Sequence, residues 1–575
     1  MIYQTLIGGE AGYGIMTTGL LLSKLAARAG KRAFDYVEYP SLVRGGHNAY
    51  TVAISPDEVR SLKSTIDLLV CFNEDTFKLH QHQLASGAAV MYDSEEFQVV
   101  GDYKKIAVPF RTILKEGNGS FMMKNTVLLG SLLGLLDGNP DWLYENIEKQ
   151  FAKKGEKVVE FNKFFVKAGY EYVQKHYAEY ITSILGKAEG PEKQMVLAGN
   201  DAFCLGAELA DCRFYAAYPM TPSSTVLTTM ASWQDKAQII VRHAEDEIAV
   251  INTALGASFA GVRAAVGTSG GGFALMVEGV SLAGVTETPI VIFLSQRPGP
   301  ATGMPTWTEQ GDLLFAVHAG HGEFPKIVLA PGDVEEMVEL TAKAFNLADI
   351  YQTPVIVMSD MLLSESHKSM SIPRFNEIAA SYTVNRGALI SHVDEQPYLR
   401  YKITESGISP RLTPGVKGAF WQNNSYEHEE DSHTTEHAKP RIDQVNKRAR
   451  KMDTYFANHF VSPRAYGDIE NAEHIIVCWG STKGAVLEAI KLMHDKGNNS
   501  IACLHFTHMF PLEPKHIIPF FPFGKEYILI ENNSHGQLGR LLRQECGIEI
   551  DKKFLKYDGR PIGPEEIVEF LSKQA

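Results

Sequence analysis

The segment from residue 214 to residue 272 constrains the fold of this chain most strongly. A short apolar run, Phe214 to Tyr218, precedes a turn punctuated by prolines, Pro219-Met220-Thr221-Pro222. The acidic cluster Glu245-Asp246-Glu247 then opens a helical stretch rich in Ala and Gly, and a Gly-rich loop begins at Thr268. Strands that alternate with turns and helical patterns are typical of α/β sheets. The segment therefore predicts an α/β domain.

The same alternation recurs along the 575 residues, a length that favours roughly three to five domains. Residues 1–188 begin with a strand, a Gly loop and a helix, and predict an α/β domain with a parallel-type sheet. A polar linker leads into residues 189–373, the domain that holds the opening segment. Residues 374–463 are polar and turn-rich and predict an extended connector, and residues 464–575 predict a further α/β domain.

Composition and charge exclude several classes of function. The net charge of −13 gives no reason to expect a nucleic-acid partner, which would require clustered Lys and Arg. The first residues carry no basic region of the kind that opens a signal peptide. The longest apolar stretch, Thr126 to Leu136, is too short to span a bilayer and predicts a buried helix. These features predict a cytoplasmic protein without a membrane partner.

The residue types that bind metals are present but poorly arranged for it. No two of the six cysteines form a C-x-x-C pair, so we expect neither an iron–sulfur nor a zinc site, and mostly buried, reduced thiols. His428, His433 and His437 lie among acidic residues, and this mixture favours a solvated connector over a metal site. We therefore predict no metal ligands in this chain.

The opening segment resembles the pyrimidine-binding domain of the 2-oxoacid:ferredoxin oxidoreductases, which use thiamine diphosphate. The resemblance continues through Gln296 to Gly303 and Glu309 to Leu313. Residues Pro40 to Asn48 resemble the signature of the family's gamma domain, so the chain looks like an alpha subunit with that domain fused at its N-terminus. The last segment, with Glu531 to Leu538, is similar to the C-terminal domain of transketolase-like proteins. The resemblance thus implies several doubly wound α/β domains.

Glu247 is the catalytic residue that the resemblance implies. In the family, a carboxyl group contacts the aminopyrimidine ring of the cofactor and supports proton transfer, which requires shielding from water. Helical spacing places Glu247 on one face with Ile251, Ala254 and Ser258, whose small or apolar side chains favour burial. Glu245 is the alternative catalytic residue. A purely structural interpretation is that acidic residues favour a helix start because they interact well with the helix dipole.

The resemblance also implies the residues that bind the substrate and the cofactor. Thr221 and Arg297 match the residues that hold the substrate carboxylate, and a guanidinium suits a planar carboxylate. The alternatives are a helix-capping Thr and a surface Arg. Related chains often carry a basic residue where this chain has Trp307. Arg44, with His47 nearby in the sequence, therefore becomes the candidate for binding a second carboxylate of the substrate. The implied cofactor-binding residues are Tyr218, Pro219, Glu247, Thr268, Ser269 and Gly270.

The chain lacks the Gly-Asp-Gly motif through which thiamine enzymes hold Mg²⁺ and the diphosphate. The resemblance assigns that half of the cofactor, and a 4Fe-4S cluster, to a beta subunit in an α2β2 complex, with ferredoxin as acceptor and coenzyme A as co-substrate. The sequence from Ala244 to Ala249 and the fusion of the gamma domain to the alpha subunit are most similar to the members of the family that act on 2-oxoglutarate. Pyruvate or branched-chain oxoacids, a non-redox transketolase-like activity and a non-catalytic scaffold subunit are the alternatives.

Overall fold

The computed structural model describes residues 2–41, 46–120, 123–186, 192–394 and 396–574. They divide into two compact units. The first comprises Met1–Leu197, Ser366–Phe375 and Gly563–Glu566, and the second comprises Ala198–Glu365, Asn376–Ile562 and Ile567–Ala575. Within the described ranges, every helix is too short or too polar to cross a membrane.

Strands and helices alternate over most of the chain. The strands are β1 (Tyr3–Glu10), β2 (Arg32–Glu38), β3 (His47–Ser55), β4 (Ile66–Cys71), β5 (Leu84–Asp93), β6 (Lys104–Val108), β7 (Gln194–Ala198), β8 (Cys212–Ala217), β9 (Ile240–His243), β10 (Arg263–Thr268), β11 (Ile290–Gln296), β12 (Ile327–Leu329), β13 (Pro354–Asp360), β14 (His367–Ser371), β15 (Arg464–Tyr466), β16 (His474–Trp479), β17 (Ile501–Phe506), β18 (His508–Phe510), β19 (Glu526–Glu531) and β20 (Lys552–Leu555).

The helices run between these strands. They are α1 (Ile15–Arg28), α2 (Glu74–His80), α3 (Phe110–Glu116), α4 (Lys124–Leu135), α5 (Pro140–Phe151), α6 (Glu156–His176), α7 (Gly199–Leu209), α8 (Ser224–Ala237), α9 (Glu247–Phe259), α10 (Gly270–Thr286), α11 (Leu313–His318), α12 (Val334–Tyr351), α13 (Met361–Glu365), α14 (Ile372–Ser381), α15 (Ala438–Asn458), α16 (Thr482–Asp495), α17 (Pro514–Ile517), α18 (Gln537–Cys546) and α19 (Pro564–Gln574).

The first unit contains a mixed eight-stranded sheet with the order β6-β5-β4-β1-β3-β2-β14-β7. The expected parallel-type sheet is present from β6 to β1 but is wrong for β3, which pairs antiparallel with both β1 and β2. The physical reason is the connection between β2 and β3, which is too short for the crossover that parallel neighbours require. The expected buried helix is confirmed as α4, whose Val127, Leu128 and Leu132 lie in the core.

The N-terminal glycines serve close packing rather than an open loop. Gly8 and Gly9 belong to β1. A Cβ atom on Gly9 would lie 2.8 Å from Cβ of Phe72, and one on Gly8 would lie 2.5 Å from Cγ2 of Thr76. The glycine-rich sequence thus lets β1 approach its neighbours, and only the residues from Ala11 onward form the turn before α1.

The second unit contains two sheets that share one core. A seven-stranded sheet has the order β18-β12-β13-β11-β10-β8-β9, parallel except for β18, and a five-stranded sheet has the order β15-β17-β16-β19-β20, parallel except for β15. Apolar side chains from both sheets, such as Ile292, Val477 and Leu504, form one continuous cluster. The α/β class predicted from the sequence is confirmed.

The segment expected as an extended connector is only partly extended. It contains the 21-residue helix α15, whose Lys447 and Lys451 are buried and lie 2.5 and 2.6 Å from the two carboxylate oxygens of Glu287. His428 is buried and stacks on Tyr401 at 3.6 Å, so it is not a solvated side chain. Over the described residues no group of metal-ligating side chains is assembled. The boundaries of the four predicted domains stay a prediction.

All six cysteines are free and buried, as their scattered positions predict.

Candidate active site

The site residues are brought together by the edge at which parallel strands end. Strands β11, β10, β8 and β9 are neighbours in that order and run parallel, so the loops that follow them lie side by side. In open α/β sheets, ligands bind outside the carboxyl ends of such strands. This edge carries Thr221 after β8, Glu247 after β9, Ser269 after β10 and Arg297 after β11.

Glu247 is buried at the first position of α9. Asp246 caps the helix by accepting a 2.7 Å hydrogen bond from the Ala249 amide, which leaves the Glu247 side chain free to turn inward. Glu247 is 4% exposed, and its Oε1 atom has no hydrogen-bond partner among the described residues. Buried polar atoms are nearly always paired, so this one calls for a ligand. Glu245, the alternative, is exposed.

The glycines at the start of α10 let this helix approach Glu247 closely. A Cβ atom on Gly272 would lie 2.5 Å from Glu247 Oε1 and would also clash with Oγ1 of Thr268. Ser269, the residue before the helix, is fully buried, and its hydroxyl also lacks a partner in the described part of the chain. The unpaired polar groups of Glu247 and Ser269 lie beside a helix that begins with three glycines. This arrangement fits a flat, polar heterocycle such as an aminopyrimidine.

Thr221 and Arg297 meet across the end of β10. Arg297 Nη1 donates a 2.8 Å hydrogen bond to the carbonyl oxygen of Thr221. Burial lowers the pKa of Arg297, and the nearby Asp312 opposes that shift. The structure therefore joins two of the three predicted substrate-binding residues. Tyr218 and Pro219 lie at the exposed rim, where the Tyr218 ring is 6.1 Å from that of His243.

Sequence reasoning missed the two acidic residues of the loop after Trp307. Asp312 lies against the start of α10, because a Cβ atom on Gly270 would be 2.5 Å from its Oδ2 atom. Burial raises the pKa of Asp312 to about 6, against the opposing effect of Arg297. Burial, and then the charge of Asp312, raise the pKa of Glu309 to about 7. The stretch Glu309 to Leu313 was informative only as a family motif, which assigned neither residue a role.

The C-terminal motif holds this acidic loop in place. The Gln310 amide donates a 2.7 Å hydrogen bond to the Asn532 carbonyl, and the Asn532 amide donates a 3.0 Å hydrogen bond to Gln310 Oε1. Gln537 donates a 2.6 Å hydrogen bond to the Gly311 carbonyl. Glu531 accepts hydrogen bonds from the indole of Trp479 and from the Leu538 amide. The motif thus positions Glu309 and Asp312 from the neighbouring sheet.

These two carboxyl groups predict a pH dependence of oxoacid binding. As the pH rises through about 6 and then about 7, Asp312, beside Arg297, and then Glu309, beside Asp312, become negatively charged and repel an anionic substrate. We expect the KM for the oxoacid to rise over this range. Steady-state assays of Glu309→Gln should lose the part of the rise centred near pH 7, whereas Glu323→Gln, at an exposed position, should keep it. An identical profile in Glu309→Gln would contradict this assignment.

One predicted site residue, Arg44, lies outside the described residues, so its role stays a prediction. His47, its neighbour in the sequence, lies in the first unit, where its Nε2 atom is 2.8 Å from Nε2 of His80.

Comparisons with known proteins show which family this chain resembles. The family described as "Pyruvate flavodoxin/ferredoxin oxidoreductase, thiamine diP-bdg" matches residues 205–447, and the family "Pyruvate ferredoxin/flavodoxin oxidoreductase" matches residues 4–172. The 2-oxoacid:ferredoxin oxidoreductase subunit alpha of Sulfolobus sp is 31% identical over 99% of this chain and 96% of its own length. The 2-oxoglutarate oxidoreductase subunit KorA of Mycobacterium tuberculosis is 26% identical over 98% of this chain and 90% of its own.

A solved structure matches the whole chain. It is a 2-oxoglutarate:ferredoxin oxidoreductase from Magnetococcus marinus with 2-oxoglutarate, coenzyme A and succinyl-CoA bound. The match covers 100% of this chain and 99% of that one, with a TM-score of 0.91 and 30% sequence identity.

Proposed function

Since the chain belongs to the alpha subunits of the 2-oxoacid:ferredoxin oxidoreductases and contains their thiamine-diphosphate-binding domain, we propose that its substrate is 2-oxoglutarate. The reaction converts 2-oxoglutarate, coenzyme A and oxidised ferredoxin to succinyl-CoA, CO₂ and reduced ferredoxin. The observation that carries the proposal is the pairing of Arg297 with Thr221 on the same sheet edge as the buried Glu247. The relatives named for 2-oxoglutarate, and the matching structure with that substrate bound, support the choice of oxoacid.

Each residue of the site has a task in this reaction. Thiamine diphosphate, when bound, supplies the carbanion chemistry of decarboxylation. Ser269 and the start of α10 would hold its pyrimidine end, and Glu247 Oε1 would accept and return the proton at that ring. Arg297 binds the carboxylate next to the keto group, and its bond to the Thr221 carbonyl fixes the orientation of the guanidinium.

The remaining parts of the reaction are assigned to a partner. The sequence has no Gly-Asp-Gly motif and no C-x-x-C pair of cysteines. We therefore assign the Mg²⁺–diphosphate end and the 4Fe-4S cluster to a beta subunit, in an α2β2 complex. Iron absorbance in the purified complex, and its absence from this chain purified alone, are the expected results. A cluster in the isolated chain would contradict this division.

A side-by-side assay tests the choice of substrate. The purified complex receives 2-oxoglutarate, pyruvate or 2-oxoisovalerate at equal concentration, and ferredoxin reduction is followed with and without coenzyme A. We expect the highest kcat/KM for 2-oxoglutarate. An equal or higher kcat/KM for either monocarboxylate would reject 2-oxoglutarate as the substrate. Decarboxylation without ferredoxin reduction would instead indicate a non-redox thiamine enzyme.

A further inference from the structure

A second guanidinium group lies beside the loop that follows Arg297. The Cζ atom of Arg560 is 3.3 Å from the ring centroid of Trp307, so the guanidinium lies flat on the indole. Such stacking fixes the plane of an arginine and leaves its edge N–H groups available. One of them, Nη1, donates a 3.2 Å hydrogen bond to the Asp558 carbonyl. Among the described residues, no Asp or Glu forms an ion pair with Arg560, which is partly buried.

Hydrogen bonds connect the loop that carries Trp307 to the substrate end of the site. The Met304 amide donates to the Pro298 carbonyl at 3.0 Å, and the Trp307 amide donates to the Met304 carbonyl at 3.2 Å. Because Pro298 follows Arg297 directly, the loop folds back and keeps Trp307 close to the strand end that carries Arg297.

The segment that carries Arg560 is fixed to the same loop. The Thr308 amide donates a 3.1 Å hydrogen bond to the Gly559 carbonyl. Asn532 Nδ2 donates to the Arg560 carbonyl at 3.2 Å, while the Asn532 amide donates to Gln310 Oε1 at 3.0 Å. The backbone at Gly559 and Arg560 is therefore fixed against the loop that carries Glu309 and Asp312, and the Arg560 side chain is fixed by its stacking on Trp307.

We propose that Arg560, held flat on Trp307, binds the second carboxylate of a dicarboxylic 2-oxoacid whose first carboxylate is bound by Arg297. The inference rests on the proposed function and names the residue that would select a dicarboxylate. A guanidinium whose edge donors have no acidic partner in the described part of the chain suits a carboxylate that arrives with the substrate. The indole beneath it excludes water from one face, which strengthens such a contact.

The test uses the complex of this chain with its partner subunit and the variants Arg560→Gln and Arg560→Lys. For Arg560→Gln we expect kcat/KM for 2-oxoglutarate to fall by about 10- to 100-fold through KM, the range for a lost charge-assisted hydrogen bond. The kcat/KM for pyruvate and the KM for coenzyme A should stay within about twofold. Arg464→Gln is the matched control, because the Arg464 guanidinium also lies over an aromatic ring, that of Tyr466, in the five-stranded sheet.

Each outcome decides the inference. An unchanged KM for 2-oxoglutarate, an equal loss with all oxoacids, or a rise confined to the KM for coenzyme A would overturn the role of Arg560. Partial recovery in Arg560→Lys supports it, because the charge remains while the flat fork is lost. A wild-type complex that prefers pyruvate refutes the proposed substrate, yet a loss confined to 2-oxoglutarate in Arg560→Gln would still support the inference.

Discussion

The Glu247→Gln enzyme is expected to lose turnover by roughly 100- to 10,000-fold, the range for removal of a general acid–base group. The amide preserves the shape of a side chain that is 4% exposed and packed beside Gly272 and Thr268. It cannot accept and return a proton at Oε1 as a carboxyl group does. We therefore expect kcat to fall while the KM for the oxoacid changes little. Single-turnover decarboxylation, followed as release of CO₂, is the direct measurement.

The matched control is Glu245→Gln, which removes a carboxylate two positions away on an exposed side chain. This variant should retain near-normal turnover. Both variants should assemble with the partner subunit, which size-exclusion chromatography would show. The reverse pattern, with activity lost in Glu245→Gln and kept in Glu247→Gln, would show that the exposed carboxylate is the catalytic one.

The burial of Glu247 could be predicted from the sequence because local signals coincide there. An apolar run marks β10, the Gly-rich stretch after it marks the start of α10, and helical spacing places Glu247 on the buried face of α9. These signals extend over a few residues each, so no distant contact is needed to interpret them. The same locality explains why the apolar run Phe214 to Tyr218 lies close to the observed bounds of β8, Cys212–Ala217.

The acidic loop could not be interpreted in this way. Glu309 and Asp312 are acidic residues in a turn, a pattern that normally indicates exposure. Their raised pKa values come from burial, and that burial depends on Asn532 and Gln537, which are more than 200 positions away in the chain. Chemistry that is created by tertiary contacts leaves little trace in a local pattern.

The polar stretch 374–463 could not be interpreted locally for the same reason. It was predicted to be an extended connector, yet its Lys447 and Lys451 are buried around Glu287, 160 positions from Lys447. Burial lowers the pKa of Lys447 to about 7, and the opposite charge of Glu287 counteracts the effect. A single acidic residue supplied by a distant segment decides whether such a stretch is exposed or buried.

The Arg297→Ala enzyme should require a far higher concentration of oxoacid. Loss of a charge-assisted contact in a partly buried site costs about 2–5 kcal/mol, which corresponds to roughly 30- to 5,000-fold in kcat/KM. We expect the loss in the KM for the oxoacid, because the guanidinium binds the substrate carboxylate before any bond changes. The KM for coenzyme A should stay near that of the wild type.

The conservative variant Arg297→Lys distinguishes binding from folding. Lysine keeps the positive charge beside Asp312 but cannot donate to the Thr221 carbonyl and to a carboxylate with one rigid fork. Its KM for the oxoacid should therefore lie between those of the wild type and Arg297→Ala. The Tm of the wild type and of the two variants shows whether the substitutions destabilise the fold. If the KM for the oxoacid is unchanged in Arg297→Ala and only ferredoxin reduction slows, Arg297 does not bind the carboxylate, because electron transfer follows the step in which that contact is made.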